Sequence, residues 1–80
     1  MQIQTRDLWE SAFIMCEGGE IDGIRKDFSR GRREVVFIIS GTGLEGHLLD
    51  YKRGRAICNV VKFRACMNHL KDLLFSSLER

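Results

Sequence analysis

One run of residues constrains this chain more than any other: Val35, Val36, Phe37, Ile38 and Ile39, held between Glu34 and Ser40. Four of the five are β-branched and the fifth is aromatic. Such side chains have stiff χ1 angles and sit well on a pleated backbone. A charged turn precedes the run and a Gly-rich turn follows it, so it reads as a strand. Both alternating faces are apolar, which predicts an inner strand covered on both sides. The other elements are expected to pack around it.

A first helix is predicted over residues 5–16. Thr5 is a good cap, and Asp7 in the first turn suits the positive end of the helix dipole. Leu8, Trp9, Ala12, Phe13 and Cys16 form one stripe, with Trp9 read as a core or core-edge residue, and Gly18-Gly19 supplies the stop. A weaker strand follows over 21–28, with Gly23 a bulge position. The turn Ser29-Arg30-Gly31-Arg32 leads back into the central strand as an antiparallel hairpin. Thr42 and Glu45 have capping-box spacing, so Thr42 is expected to start a second helix that buries Leu44, Leu48 and Tyr51 and ends at Gly54. Residues 55–58 are read as a short strand. Asn59 then caps a last helix to about residue 78, with a stripe of Phe63, Cys66, Met67, Leu70, Leu73, Leu74 and Leu78.

The expected fold is therefore α+β, in the order α-β-β-α-(β)-α, a small antiparallel sheet packed by helices in a single domain, 1–80. Its core is expected to hold Phe37, Ile39, Phe63, Leu70 and Leu74. Eighty residues just suffice for one core without metal or disulfide staples. No apolar run approaches the roughly 20 residues of a membrane span, and the first residues lack a signal-peptide layout. Three cysteines without a Cys-x-x-Cys read as reduced thiols in a cytoplasmic protein.

The pieces form a wider pattern. It comprises Thr5-Arg6-Asp7-Leu8, Gly18, the segment from Val35 to Ser40, Leu44, Leu48, Tyr51 with Gly54, Asn59, Phe63, Ala65, Leu70-Lys71 and Leu74. This resembles a small prokaryotic domain family of unknown function found as short stand-alone proteins, and the likeness runs from Thr5 to Leu74. The resemblance implies a bacterial protein with a shared fold. It brings no catalytic residues, and its motifs are mostly structural. The chain departs from it in an Arg-rich hairpin turn and in Asn59, where the family tends to have Asp. A role for the basic turn is therefore not implied by the resemblance.

Catalytic chemistry finds little support. The two histidines are His47 and His69, and His69 lies one helical turn after Cys66. With Cys58 or His47 that pair could supply zinc ligands, but the spacing fits no finger pattern. Ser40-Gly41-Thr42-Gly43 between strand and helix could cradle a phosphate, yet it lacks the lysine of a phosphate loop. No enzyme, metal or cofactor is expected.

Net charge is only +2, but ten of the 13 basic residues fall in two short stretches. One is the hairpin, with Arg30, Arg32 and Arg33 at its turn. The other is Lys52, Arg53, Arg55, Lys62 and Arg64, with no acid among them. Two classes of function follow. The first is a non-catalytic interaction domain that binds a protein partner or itself, as a homodimer hiding either a leftover apolar face at Val36 and Ile38 or the helical ends. The alternative is nucleic-acid binding through the eight residues Arg30, Arg32, Arg33, Lys52, Arg53, Arg55, Lys62 and Arg64.

Overall fold

A computed structural model describes residues 1–29 and 31–78 of the chain; Arg30 lies outside the described residues. It is an α+β fold: β1 (Gln2–Thr5), α1 (Leu8–Cys16), β2 (Glu20–Ser29), β3 (Arg32–Ser40), α2 (Leu44–Lys52) and α3 (Val60–Leu78). The sheet order is β1-β3-β2 and both pairings are antiparallel. The apolar run is thus the central strand, as its composition requires. Because β1 and β2 both oppose β3, they are parallel to one another, and α1 crosses between them. The result is a split β-α-β unit with β3 inserted.

β1 corrects the expected order. Thr5, read as a helix cap, is instead the last strand residue and faces Phe37. The cap moves two residues on. The Asp7 carboxylate accepts from the amides of Trp9 and Glu10, at 2.9 and 3.1 Å. Thr5 still serves the turn, since its hydroxyl oxygen accepts from the Asp7 amide at 3.1 Å. It also donates to the buried Glu10 carboxylate at 2.6 Å, which joins β1 to α1. Thr42 is a second correction. Gly43 stands at the α2 N-cap with φ 69° and makes no side-chain capping bond. The left-handed turn there swings Leu44 into the core. Residues 55–58 form no strand. Ala56 and Cys58 instead line a cavity with Phe13, Tyr51, Val60 and Phe63, on the helical layer where no strand edge is available. Asn59 does cap α3, its side chain accepting from the Lys62 amide at 3.0 Å.

The helices cover one face of the sheet. Ile3, Phe13, Ile14, Ile39 and Leu44 form one buried cluster. Ala12, Phe37, Met67 and Leu70 form the next, with Phe63 half-buried against both. Phe37, Ile39 and Leu70 are buried as expected, whereas Phe63 and Leu74 reach only half burial. The opposite face carries no helix but is not bare. Val36 is only 3% exposed there. It lines one hollow with Gln4, Thr5, Arg6 and Arg25; the arginines are long side chains of the kind that lay an apolar stem over a neighbour and keep the polar head in water. Arg6 meets Glu34 at 2.7 Å, and Arg25 grips Asp27 through two nitrogens, at 2.9 and 3.3 Å. That forked pair holds the Asp27 carboxyl below its ordinary range. At the far end the carboxylate of Asp22 stands at the β2 bulge. It accepts from the Gln2 amide at 3.2 Å and the Ser40 hydroxyl at 3.0 Å, tying all three strands together.

Gly19 marks the tightest approach of α1 to the sheet. A Cβ at this position would stand 2.8 Å from Ile39 Cγ2, 2.9 Å from Ile14 Cγ2 and 3.0 Å from the Ile14 carbonyl. Gly19→Ala should therefore overpack the core and cost about 1–3 kcal/mol. Leu70→Ala, at a fully buried site, should cost about 2–5 kcal/mol. Gly23→Ala meets nothing within 4 Å and serves as the reference. Urea midpoints of the three variants check this; a Gly19→Ala midpoint equal to that of Gly23→Ala would refute the close approach.

Candidate functional site

Two features that are far apart in sequence meet where α1 passes the start of α3. The first is apolar. Ile57, Val60 and Val61 are 86, 78 and 77% exposed, and Trp9 on α1 is 61% exposed. Trp9 does not enter the core. Its ring stacks on Phe63 with centroids 5.9 Å apart and planes 16° from parallel. Next to the stack lies the cavity of about 190 Å³ lined by Phe13, Tyr51, Ala56, Cys58, Val60 and Phe63. Tyr51 closes it at one side and donates its hydroxyl to Asp7 at 3.1 Å. Burial first, and Asp7 second, push the Tyr51 phenol above its usual pKa.

The second feature is a group of thiols. Cys16 ends α1 and is buried, and its sulfur lies 3.7 Å from that of Cys66 on α3. Cys58, in the loop before α3, is also close enough to act on Cys16. Burial pushes the Cys16 thiol up to about 12, and hydrogen bonding and charge from Cys66, then Cys58, add to it. Cys66 therefore turns toward α1, while His69, one turn on, lines a cleft of about 520 Å³ against β2 with Asp22 and Lys26. The two are not presented to one site. Among the described residues no group of three or more His, Cys, Asp or Glu is arranged to hold a metal ion.

The basic residues divide. Lys52, Arg53, Arg55, Lys62 and Arg64 are all exposed, and among the described residues none has an ion-pair partner. They flank the apolar surface on the same short segment. The hairpin arginines sit elsewhere. Arg32 and Arg33 begin β3, where successive side chains point to opposite faces, so they do not form one patch. The hairpin side of the sheet meets the far half of α3, since Leu74 lies in one cavity with Glu34 and Val35. Lys62 is twelve residues before Leu74, about 18 Å up the helix. Arg30 lies outside the described residues.

Comparison with protein-family models, with curated proteins and with solved structures gave no match. Among the described residues no helix is long and apolar enough to cross a membrane.

The thiol shift has a consequence for stability. Cys16 stays protonated in the folded chain, but once unfolded it ionises near its ordinary value of 9.0. Between those two values the folded state holds the extra proton, so stability is full below pH 9 and falls as pH rises above it. Thermal unfolding followed from pH 8 to 10.5 should show a falling midpoint. Cys16→Ala should flatten the curve, and an unchanged slope in that variant would exclude Cys16 as the cause.

Proposed function

We propose that the chain is a non-catalytic docking domain, and that its partner is an acidic amphipathic segment of another protein. The observation that carries this reading is the exposure of Ile57, Val60 and Val61 within one short segment, with Trp9 of α1 stacked, still largely exposed, on the half-buried Phe63 that follows them. Exposed apolar side chains clustered around an aromatic anchor are the usual composition of an interface centre. Unpaired cations around them supply a rim that favours a negatively charged partner and speeds its encounter. The same rim argues against a second copy on this surface. A two-fold interface sets a patch on itself, so basic residues would meet basic residues. The open sheet face offers no better ground for a dimer, because Val36 is already only 3% exposed there, in a hollow it shares with Arg6 and Arg25.

The test uses the full chain with a photo-crosslinking residue at Val61 in the native cell, with and without nuclease. The expected result is a crosslinked protein whose mapped contact segment is acidic and amphipathic, unaffected by nuclease. Val60→Asp should lower the yield at least tenfold, since a charge in the interface centre repels an acidic segment. It should change folding stability by no more than about 0.5 kcal/mol, as the position is exposed. Crosslinks that vanish with nuclease would instead favour the nucleic-acid reading. Crosslinks only to the chain itself would favour self-association.

A further inference from the structure

The geometry points to a thiol-oxidation site between α1 and α3: Cys16 and Cys66 close an intramolecular disulfide when the protein meets a low-molecular-weight disulfide such as oxidised glutathione. The two sulfurs already lie 3.7 Å apart, in direct hydrogen-bond contact. A disulfide needs about 2.05 Å, so each sulfur has to move by less than an ångström. The two elements that carry them pack directly on each other through Ala12 and Met67, so the pair is held in place by the core. The arrangement also gives the thiols different access. Cys16 is buried, whereas Cys66 is half-exposed and can be reached from solvent.

The chemistry follows that difference. The Cys66 thiol, losing its proton to water, attacks one sulfur of the oxidised glutathione. The sulfur–sulfur bond of the reagent breaks, one glutathione thiolate leaves, and a mixed disulfide remains on Cys66. The Cys16 thiolate then attacks the Cys66 sulfur and expels the second glutathione. In sum, two protein thiols and one glutathione disulfide become one protein disulfide and two glutathione thiols, with protons and electrons balanced. The reagent is the oxidant. Burial makes the Cys16 thiolate scarce at neutral pH, so the second step relies on proximity, which raises the effective concentration of a well-placed neighbour by orders of magnitude. Closure is therefore slow, on the order of minutes to hours. Cys58 is the competing thiol. It stands in the cavity wall beside Phe13 and Phe63 rather than on α3.

The sequence makes the test unambiguous. Cleavage after Lys and Arg places the three cysteines on separate peptides, residues 7–25, 56–62 and 65–71. The intact chain is equilibrated in oxidised and reduced glutathione, free thiols are blocked with iodoacetamide, and the unreduced digest is mapped by mass spectrometry. The expected product joins 7–25 to 65–71 within one chain, leaves Cys58 alkylated, and raises the unfolding temperature by roughly 10 °C or more. Cys58→Ala should leave that product unchanged, and Cys66→Ala should abolish it. Cys66 is half-exposed, so that variant keeps the test valid even where a change at buried Cys16 impairs folding. Glutathione adducts without the cross-link, a link through peptide 56–62, or a link between chains would each overturn the assignment.

Discussion

The fold rests on how near α1 can come to β3. The helix turns Ser11 and Ala12 toward the interior, both fully buried, and ends against Gly19, where there is no room for a Cβ. Small residues let the helix backbone approach the sheet. That approach brings Phe13 and Ile14 within reach of Ile39, and it leaves the depth that Leu70 of α3 fills over Phe37. The buried Thr5–Glu10 hydrogen bond fixes the other end of the same contact. With α1 so held between β1 and β2, the position of the central strand follows, and α2 and α3 pack on what remains.

Much of this arrangement was legible in the residues. The β-branched run identified the central strand, the Gly31 turn identified the hairpin, and the 3-4 repeat identified α3. β1 was not legible. Gln2, Ile3, Gln4 and Thr5 make too short an alternation to stand out, and their partner strand lies more than thirty residues away. Thr5 also carries a real local signal, a hydroxyl that accepts a backbone amide, and nothing in the sequence says whether that amide opens a helix or a turn before one. The short strand expected at 55–58 failed for the complementary reason. Ala56, Ile57 and Cys58 have strand-like composition, but a strand exists only where another edge receives it.

The candidate site was legible only in fragments. The basic stretch from Lys52 to Arg64 was plain. Its apolar companions were not, because Val60, Phe63, Met67 and Leu70 keep one helical spacing throughout. The pattern gives no sign that α3 begins before it reaches the core, which leaves Val60 in solvent and Phe63 half-covered. Trp9 misled in the same way, since it shares a stripe with Ala12 and Phe13 yet stacks outside on Phe63. The meeting of Cys16 with Cys66 depends on α1 and α3 lying side by side, and a separation of fifty positions along the chain conceals it.

The sheet is also unequal along its length. β1 pairs only with the last four residues of β3, from Phe37 to Ser40, so the hairpin continues past it as a two-stranded ribbon. Among the described residues nothing pairs with the outer edge of β2, or with the side of β3 turned away from β2 between Arg32 and Val36. Bare edges of this kind invite another chain to add strands and seed aggregates. Here they are blunted. The bulge between Ile21 and Gly23 breaks the regular ladder at one end of β2, and Arg25, Lys26 and Asp27 charge the rest. Arg32, Arg33 and Glu34 do the same for β3. The crowding of charge around the hairpin thus has a use that needs no ligand: it keeps a half-finished sheet from being completed by its neighbours.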